Sequence, residues 1–183
     1  MVKLIAFLIL SAGLIYISRA SLTAPHSHGF YRLFAWEFIV ALFLLNVNLW
    51  FREPWCWHQL ISWSLLFGSL VPLAFGVHSL ATQGKAAKHR KDDAQLLAFE
   101  KTTTLVTTGI YRYIRHPLYS SLLLLAWGVF FKAPTWLGVL LVLPATLLLF
   151  ATAKADETEC IHYFGTPYQE YRQHTKMFLP YLF

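Results

Sequence analysis

Two short stretches hold most of the residues able to do chemistry. The first is Thr103-Thr-Leu-Val-Thr-Thr-Gly-Ile-Tyr-Arg-Tyr-Ile-Arg-His-Pro-Leu-Tyr119. It gathers threonines, a glycine, three tyrosines, two arginines and a histidine just ahead of an apolar run. Pro117 suits the first turn of a helix, where its missing N–H costs nothing. That puts His116 at the cap and Tyr119 in the first turn. Free N–H groups at a helix start favour negative charge, such as the carboxylate of an amino-acid-like ligand. The competing reading is an interfacial belt of Tyr and Arg, but a belt does not need a His-Pro pair.

The second stretch is Lys154-Ala-Asp-Glu-Thr-Glu-Cys-Ile-His-Tyr-Phe-Gly165, followed by Thr-Pro-Tyr168-Gln-Glu-Tyr171. Continued as a helix, Asp156 and Glu159 share a face at i, i+3 and Glu157 points elsewhere. Acids at a helix C-terminus oppose its dipole, so a cation, an arginine or hydroxyls must stabilise them. Tyr168 and Tyr171 are expected to pack the tail onto the surface. Several chemistries are missing. Cys56 and Cys160 form no framework and no Cys/His metal spacing exists, so no metal site is expected. His26 and His28 are close, but nothing completes a site. No Gly-x-Gly start of a dinucleotide loop and no Gly-x-Ser-x-Gly elbow is present.

The elements that must position these stretches are apolar. Of 183 residues, 57% are hydrophobic and 13% charged, against about 25% charged in an average soluble domain. The apolar residues lie in blocks, from about Val2 to Ser18, Leu33 to Trp50, His58 to Leu80, Leu118 to Phe131 and Pro134 to Ala153. A spanning helix takes about 20 residues. The pattern predicts an all-α membrane protein with five transmembrane helices. Pro72 is expected to kink the third. The last two are expected to form a helical hairpin around Lys132-Ala-Pro. Residues 1–183 read as a single membrane domain. It has three spans in 1–80, a polar loop at 81–117, the hairpin at 118–153 and a polar C-terminal segment at 154–183.

The net charge of +6 could suggest nucleic acid. A cytoplasmic membrane face explains it instead, because such loops are rich in Lys and Arg. Lys85, Lys88, Arg90, Lys91, Lys101, Arg112 and Arg115 put loop 81–117 inside. Counting spans then puts the C-terminal segment inside too, so the two chemistry-bearing stretches can meet on one face. The run from Lys85 to Asp93 reads as a solvated or headgroup-facing loop. Within the second span, Glu37 is a functional hint by its position alone. Asn46 and Asn48 are read equally well as interhelical hydrogen bonders. The short loops suit a bacterial inner membrane.

Leu105-Val-Thr-Thr-Gly-Ile-Tyr-Arg-Tyr-Ile-Arg-His-Pro-Leu-Tyr119, with Asp156-Glu157, Phe164-Gly165, Tyr168, Tyr171 and Pro180, resembles the isoprenylcysteine carboxyl methyltransferase family. That family includes phospholipid N-methyltransferases and thiol methyltransferases of membranes. The resemblance covers about the C-terminal half. It implies S-adenosylmethionine-dependent methyl transfer to a lipophilic acceptor at the cytoplasmic face, and makes the C-terminal segment cofactor-binding. It implies a cofactor pocket of Thr104, Leu105, Val106, Tyr111, His116, Pro117, Leu118, Tyr119, Asp156 and Glu157. Arg115 and Glu157 are implied as catalytic, and Arg112 or Arg115 as holding the acceptor. Thr152 stands where isoprenylcysteine enzymes are expected to carry an arginine for the substrate carboxylate. The acceptor is thus open among a carboxylate, a lipid amine and a thiol. Two other readings remain: an NADPH-dependent sterol-type reductase, which would typically carry Asn at the position of Leu118, and a non-enzymatic lipid-binding protein.

Overall fold

The computed structural model describes residues 1–84 and 101–180. The charged run from Lys85 to Asp93 lies outside the described residues. Among those described, the chain is helical, with one isolated parallel bridge between Ile114 and Lys176. The helices are α1 (Val2–Ile17), α2 (Arg19–Leu22), α3 (His28–Asn46), α4 (Trp57–Gln83), α5 (Pro117–Phe130), α6 (Trp136–Phe164) and α7 (Thr166–His174).

Three segments are long and apolar enough to cross a membrane: His28–Leu49, Trp57–Gln83 and Trp136–Phe164. The other two apolar helices are shorter. With 16 residues in α1 and 14 in α5, a rise of 1.5 Å per residue makes them about 24 and 21 Å long. That is less than the roughly 30 Å of a hydrocarbon core. The five apolar blocks therefore fold as five helices, of which three reach crossing length.

Packing follows from small residues at close approaches. Helix α4 runs along α5, α3 along α6, and α5 against α6 as the expected hairpin. Ala35, Ile39 and Leu42 of α3 meet Ala126, Val129 and Phe130 of α5 and Val142, Ala145 and Leu149 of α6. Apolar burial drives little association among lipid tails, so fit and hydrogen bonds between helices matter more. Gly128 lets α5 approach Leu66 so closely that an added Cβ would sit 2.9 Å from it. Beside it the Ser62 hydroxyl donates to the Gly128 carbonyl at 2.7 Å. Asn46 donates to the Val129 carbonyl at 2.9 Å, so it is an interhelical hydrogen bonder. Glu37 accepts from Ser11 of α1 at 2.9 Å. Helix α4 continues unbroken through Pro72.

Two helices extend beyond their apolar blocks. Ser27 caps α3 by accepting from the Phe30 N–H, so α3 starts at His28 rather than near Leu33. Helix α6 does not stop near Ala153 but carries the acids onward to Phe164. It ends at Gly165, whose φ of +66° lies in a region that L side chains rarely adopt. The chain there turns into α7. Residues after α7 return to the loop ahead of α5. Arg115 N–H donates to the Lys176 carbonyl at 2.8 Å and His116 N–H to that of Met177 at 3.1 Å. Met177 and Phe178 pack with Tyr119 and Ala153.

Candidate active site

The hairpin brings the start of α5 beside the later turns of α6, and a cavity forms between them. The loop ahead of α5 supplies Leu105, Val106, Tyr111, Arg115 and His116 to its wall, and the first turn of α5 supplies Pro117, Leu118 and Tyr119. Helix α6 supplies Asp156, Glu159, Cys160 and Phe164, and α7 supplies Tyr168 and Tyr171. Pro117 does start α5, with His116 at its cap. The turn Gly109–Arg112 shapes the loop, and Gly109 at φ +62° fits a place where a Cβ would come 2.9 Å from the Ser79 hydroxyl.

Three of the residues expected in the site lie outside this wall. Thr104 and Arg112 are exposed. Glu157 is buried and turned to Arg115, whose Nη2 lies 2.7 Å and whose Nε lies 2.9 Å from the same carboxylate oxygen. Arg115 also donates to the backbone carbonyls of Arg172 and Thr175. The guanidinium therefore ties α6 to the C-terminal return. Lys154 and Arg172 approach the other Glu157 oxygen at 3.9 and 3.6 Å.

His116 sits between two acids. Its Nδ1 is 3.4 Å from Asp156 and its Nε2 is 3.5 Å from Glu157. Burial alone would push its pKa down; the two carboxylates outweigh that and raise it above the ordinary imidazole value. Its ring stacks on Tyr119, with centroids 5.4 Å apart. The residue is 4% exposed, and its Nε2 faces the buried Glu157 carboxylate at ion-pair distance. Tyr171 donates to the Tyr111 carbonyl at 2.7 Å and closes α7 over the loop. Burial raises the pKa of its hydroxyl, which stays a neutral donor.

Several residues lining the site are not among the expected pocket residues, although i, i+3 spacing puts Glu159 on the Asp156 face. Glu159 and Cys160 follow Asp156 along the helix that hydropathy ends too early. Tyr168 and Tyr171, expected to pack the tail, do so and also wall the cavity. The largest addition comes from α3. His28, 1% exposed, holds both Glu159 oxygens: its backbone N–H donates at 2.8 Å and its Nδ1 at 2.5 Å. Arg32, one turn on, is 2% exposed and acts through its charge on Asp156. Ser27 at cap spacing ahead of apolar Phe30, Leu33 and Phe34 was the available signal for this helix start. Among the described residues no group of three or more His, Cys, Asp or Glu is placed to hold a metal ion.

Comparison with known proteins agrees with this geometry. No curated protein and no solved structure matches the chain. A family model for phospholipid methyltransferases matches residues 72–171. That region starts inside α4 and takes in the loop, the hairpin and both acid-bearing turns of α6, more than half of the chain. With the His116–Asp156 contact and the cavity between α5 and α6 inside the matched region, the chain belongs to the phospholipid methyltransferase family.

Proposed function

We propose that this membrane methyltransferase uses S-adenosylmethionine and methylates a lipophilic amine at the cytoplasmic face of the membrane. The observation that carries this reading is the charge on the cavity wall. Asp156 and Glu159 face the cavity, while the guanidinium of Arg115 is occupied by Glu157 and two carbonyls. Such a wall favours cationic ligands and gives an acceptor carboxylate no uncommitted arginine. Thr152 supports the same choice: it is fully buried and its hydroxyl donates back to the Leu148 carbonyl at 2.7 Å.

The residues fit the cofactor by donor chemistry. Asp156, with His116 beside it, would meet its amino-acid end. The faces of Tyr119 and Tyr168 suit a sulfonium cation, and Leu105, Val106 and Leu118 offer an apolar seat for a base. When bound, the cofactor supplies an electrophilic methyl on positive sulfur. The acceptor nitrogen's lone pair forms the bond to carbon as the C–S bond breaks, and that electron pair stays on sulfur. The chain's task is alignment and exclusion of water, which can supply most of such a rate. No covalent enzyme intermediate is required.

Sidedness supports the topology. The start of α3, the far end of α6 and the loop ahead of α5 meet at one end, through His28–Glu159 and His116–Asp156. At the other end Lys3 donates to the Leu45 carbonyl and Lys132 to Gln59. The two short apolar helices would then complete five spans, α1 and α5 reaching through the membrane with their flanking residues.

Calorimetry of the purified protein in detergent, with S-adenosylhomocysteine and with NADPH, tests the reading. We expect binding of the former alone, weakened at least about tenfold in Asp156→Ala by loss of one charge-assisted contact. Binding of neither compound, or of NADPH alone, overturns it.

A further inference from the structure

We propose that Glu159, held in place by His28, is the subsite for the acceptor's ammonium group and takes its proton before methyl transfer. This rests on the amine reading above and adds the residues that would perform it. Glu159 lies one turn beyond Asp156 on α6, and both line the cavity. Its side chain is 36% exposed, whereas that of Glu157 is 3% exposed.

What sets Glu159 apart is how it is held. A carboxylate has room for about four hydrogen bonds. His28 uses two of these sites, one on each oxygen, through its main-chain N–H and its ring. The N–H is one of the free donors at the start of α3, where the helix dipole favours an anion. The carboxylate is thus fixed from the buried side and keeps lone pairs toward the cavity.

An ammonium cannot attack carbon, because its lone pair is in the fourth N–H bond. It must first give one proton to a base. Glu159 accepts that proton and becomes a neutral acid, and the freed amine lone pair then attacks the methyl carbon. The proton afterwards leaves to water through the exposed side of Glu159. His28 is not a relay in this scheme: its Nε2 ends in a buried place without a hydrogen-bond partner. It is a positioning residue, contributed by a helix outside the matched region 72–171.

The test uses the whole protein in detergent, saturated with S-adenosylhomocysteine, and calorimetry with n-hexylammonium and with 1-hexanol. The pair differs in the charged head and shares the tail. Wild type should prefer the ammonium by at least about tenfold, as expected for a charge-assisted contact. Glu159→Gln, which keeps the shape and one of the two oxygens that His28 holds, should bring the ratio near one and leave S-adenosylhomocysteine affinity unchanged. His28→Ala should lower the ratio, and His28→Asn, whose amide can stand in for Nδ1, should restore it. A ratio unchanged in Glu159→Gln overturns the proposal. So does a parallel loss of S-adenosylhomocysteine affinity, which would assign Glu159 to the cofactor. Failure of wild type to bind S-adenosylhomocysteine defeats the methyltransferase reading itself and is seen before any variant is compared.

Discussion

The pair Arg115–Glu157 can be a catalytic couple or a strut, and the two roles predict different responses to Glu157→Gln. In the structure both side chains are nearly buried, at 9% and 3% exposure, with two contacts of 2.7 and 2.9 Å to one oxygen. Removing one partner of a buried pair costs about 3–5 kcal/mol, because the other charge is left uncompensated. Glutamine keeps an acceptor oxygen, so Glu157→Gln belongs near the lower end, about 3 kcal/mol. For a chain of this length each kcal/mol moves Tm by about 2–4 °C, so Tm should fall by about 6–12 °C. Arg115→Met should fall further, since it also loses the bonds to the Arg172 and Thr175 carbonyls. The double variant should cost less than the sum of the two, because neither charge is then stranded. Thermal unfolding in detergent, followed by scanning fluorimetry, measures all three. The strut is refuted if Glu157→Gln keeps the wild-type Tm while methyl transfer is lost.

His116 makes a pH-dependent contribution. Its folded pKa is raised by Asp156 and Glu157 against the opposing effect of burial, so its stabilisation is fully present below the unfolded value of about 6.5 and is lost as pH rises through the folded one. Tm measured from pH 6 upward should therefore decline more steeply in wild type than in His116→Gln; equal slopes would contradict the contacts described. At the far end of α5, Lys132 is 1% exposed, donates to Gln59 at 2.9 Å and lies 3.3 Å from the centroid of the Trp63 ring. Lys132→Met removes that cation–π contact and leaves the Gln59 oxygen unmet, so it should cost about 2–4 kcal/mol in thermal unfolding. The 14 residues of α5, about 21 Å of helix, separate it from the cavity, so S-adenosylhomocysteine affinity should stay unchanged.

The part of the site carried by local chemistry was legible in the chain. The His116-Pro117 cap, the apolar start of α5 and the i, i+3 acids of α6 all follow from spacing and helix geometry. The need for cations near those acids was also legible, because acids late in a helix oppose its dipole. Which cations answer was not. Arg115, His116, His28 and Arg32 converge on the acids from two separate segments, and long-range pairing leaves no mark in spacing. For Glu157 helix geometry gives the face, off the one shared by Asp156 and Glu159, but not the partner Arg115. Its neighbour Asp156 faces the cavity, and one residue of helical rotation turns Glu157 to Arg115. Adjacency in sequence places the two residues on different faces.

Hydropathy misplaced both boundaries that matter for a physical reason. It scores a side chain by its cost in an apolar phase and takes no account of a partner that removes the cost. His28 and Arg32 look too polar for the start of a buried helix, and Asp156 and Glu159 look like the end of one. In the structure each group meets the other's charge or hydrogen bonds, so α3 begins earlier and α6 ends later than their apolar blocks. The cavity needs α6 held at the right height, and α6 is held by α3 both along the apolar core and at Glu159. Helix α3 therefore takes part in the site: its His28 holds a residue of the cavity wall 131 positions away in sequence.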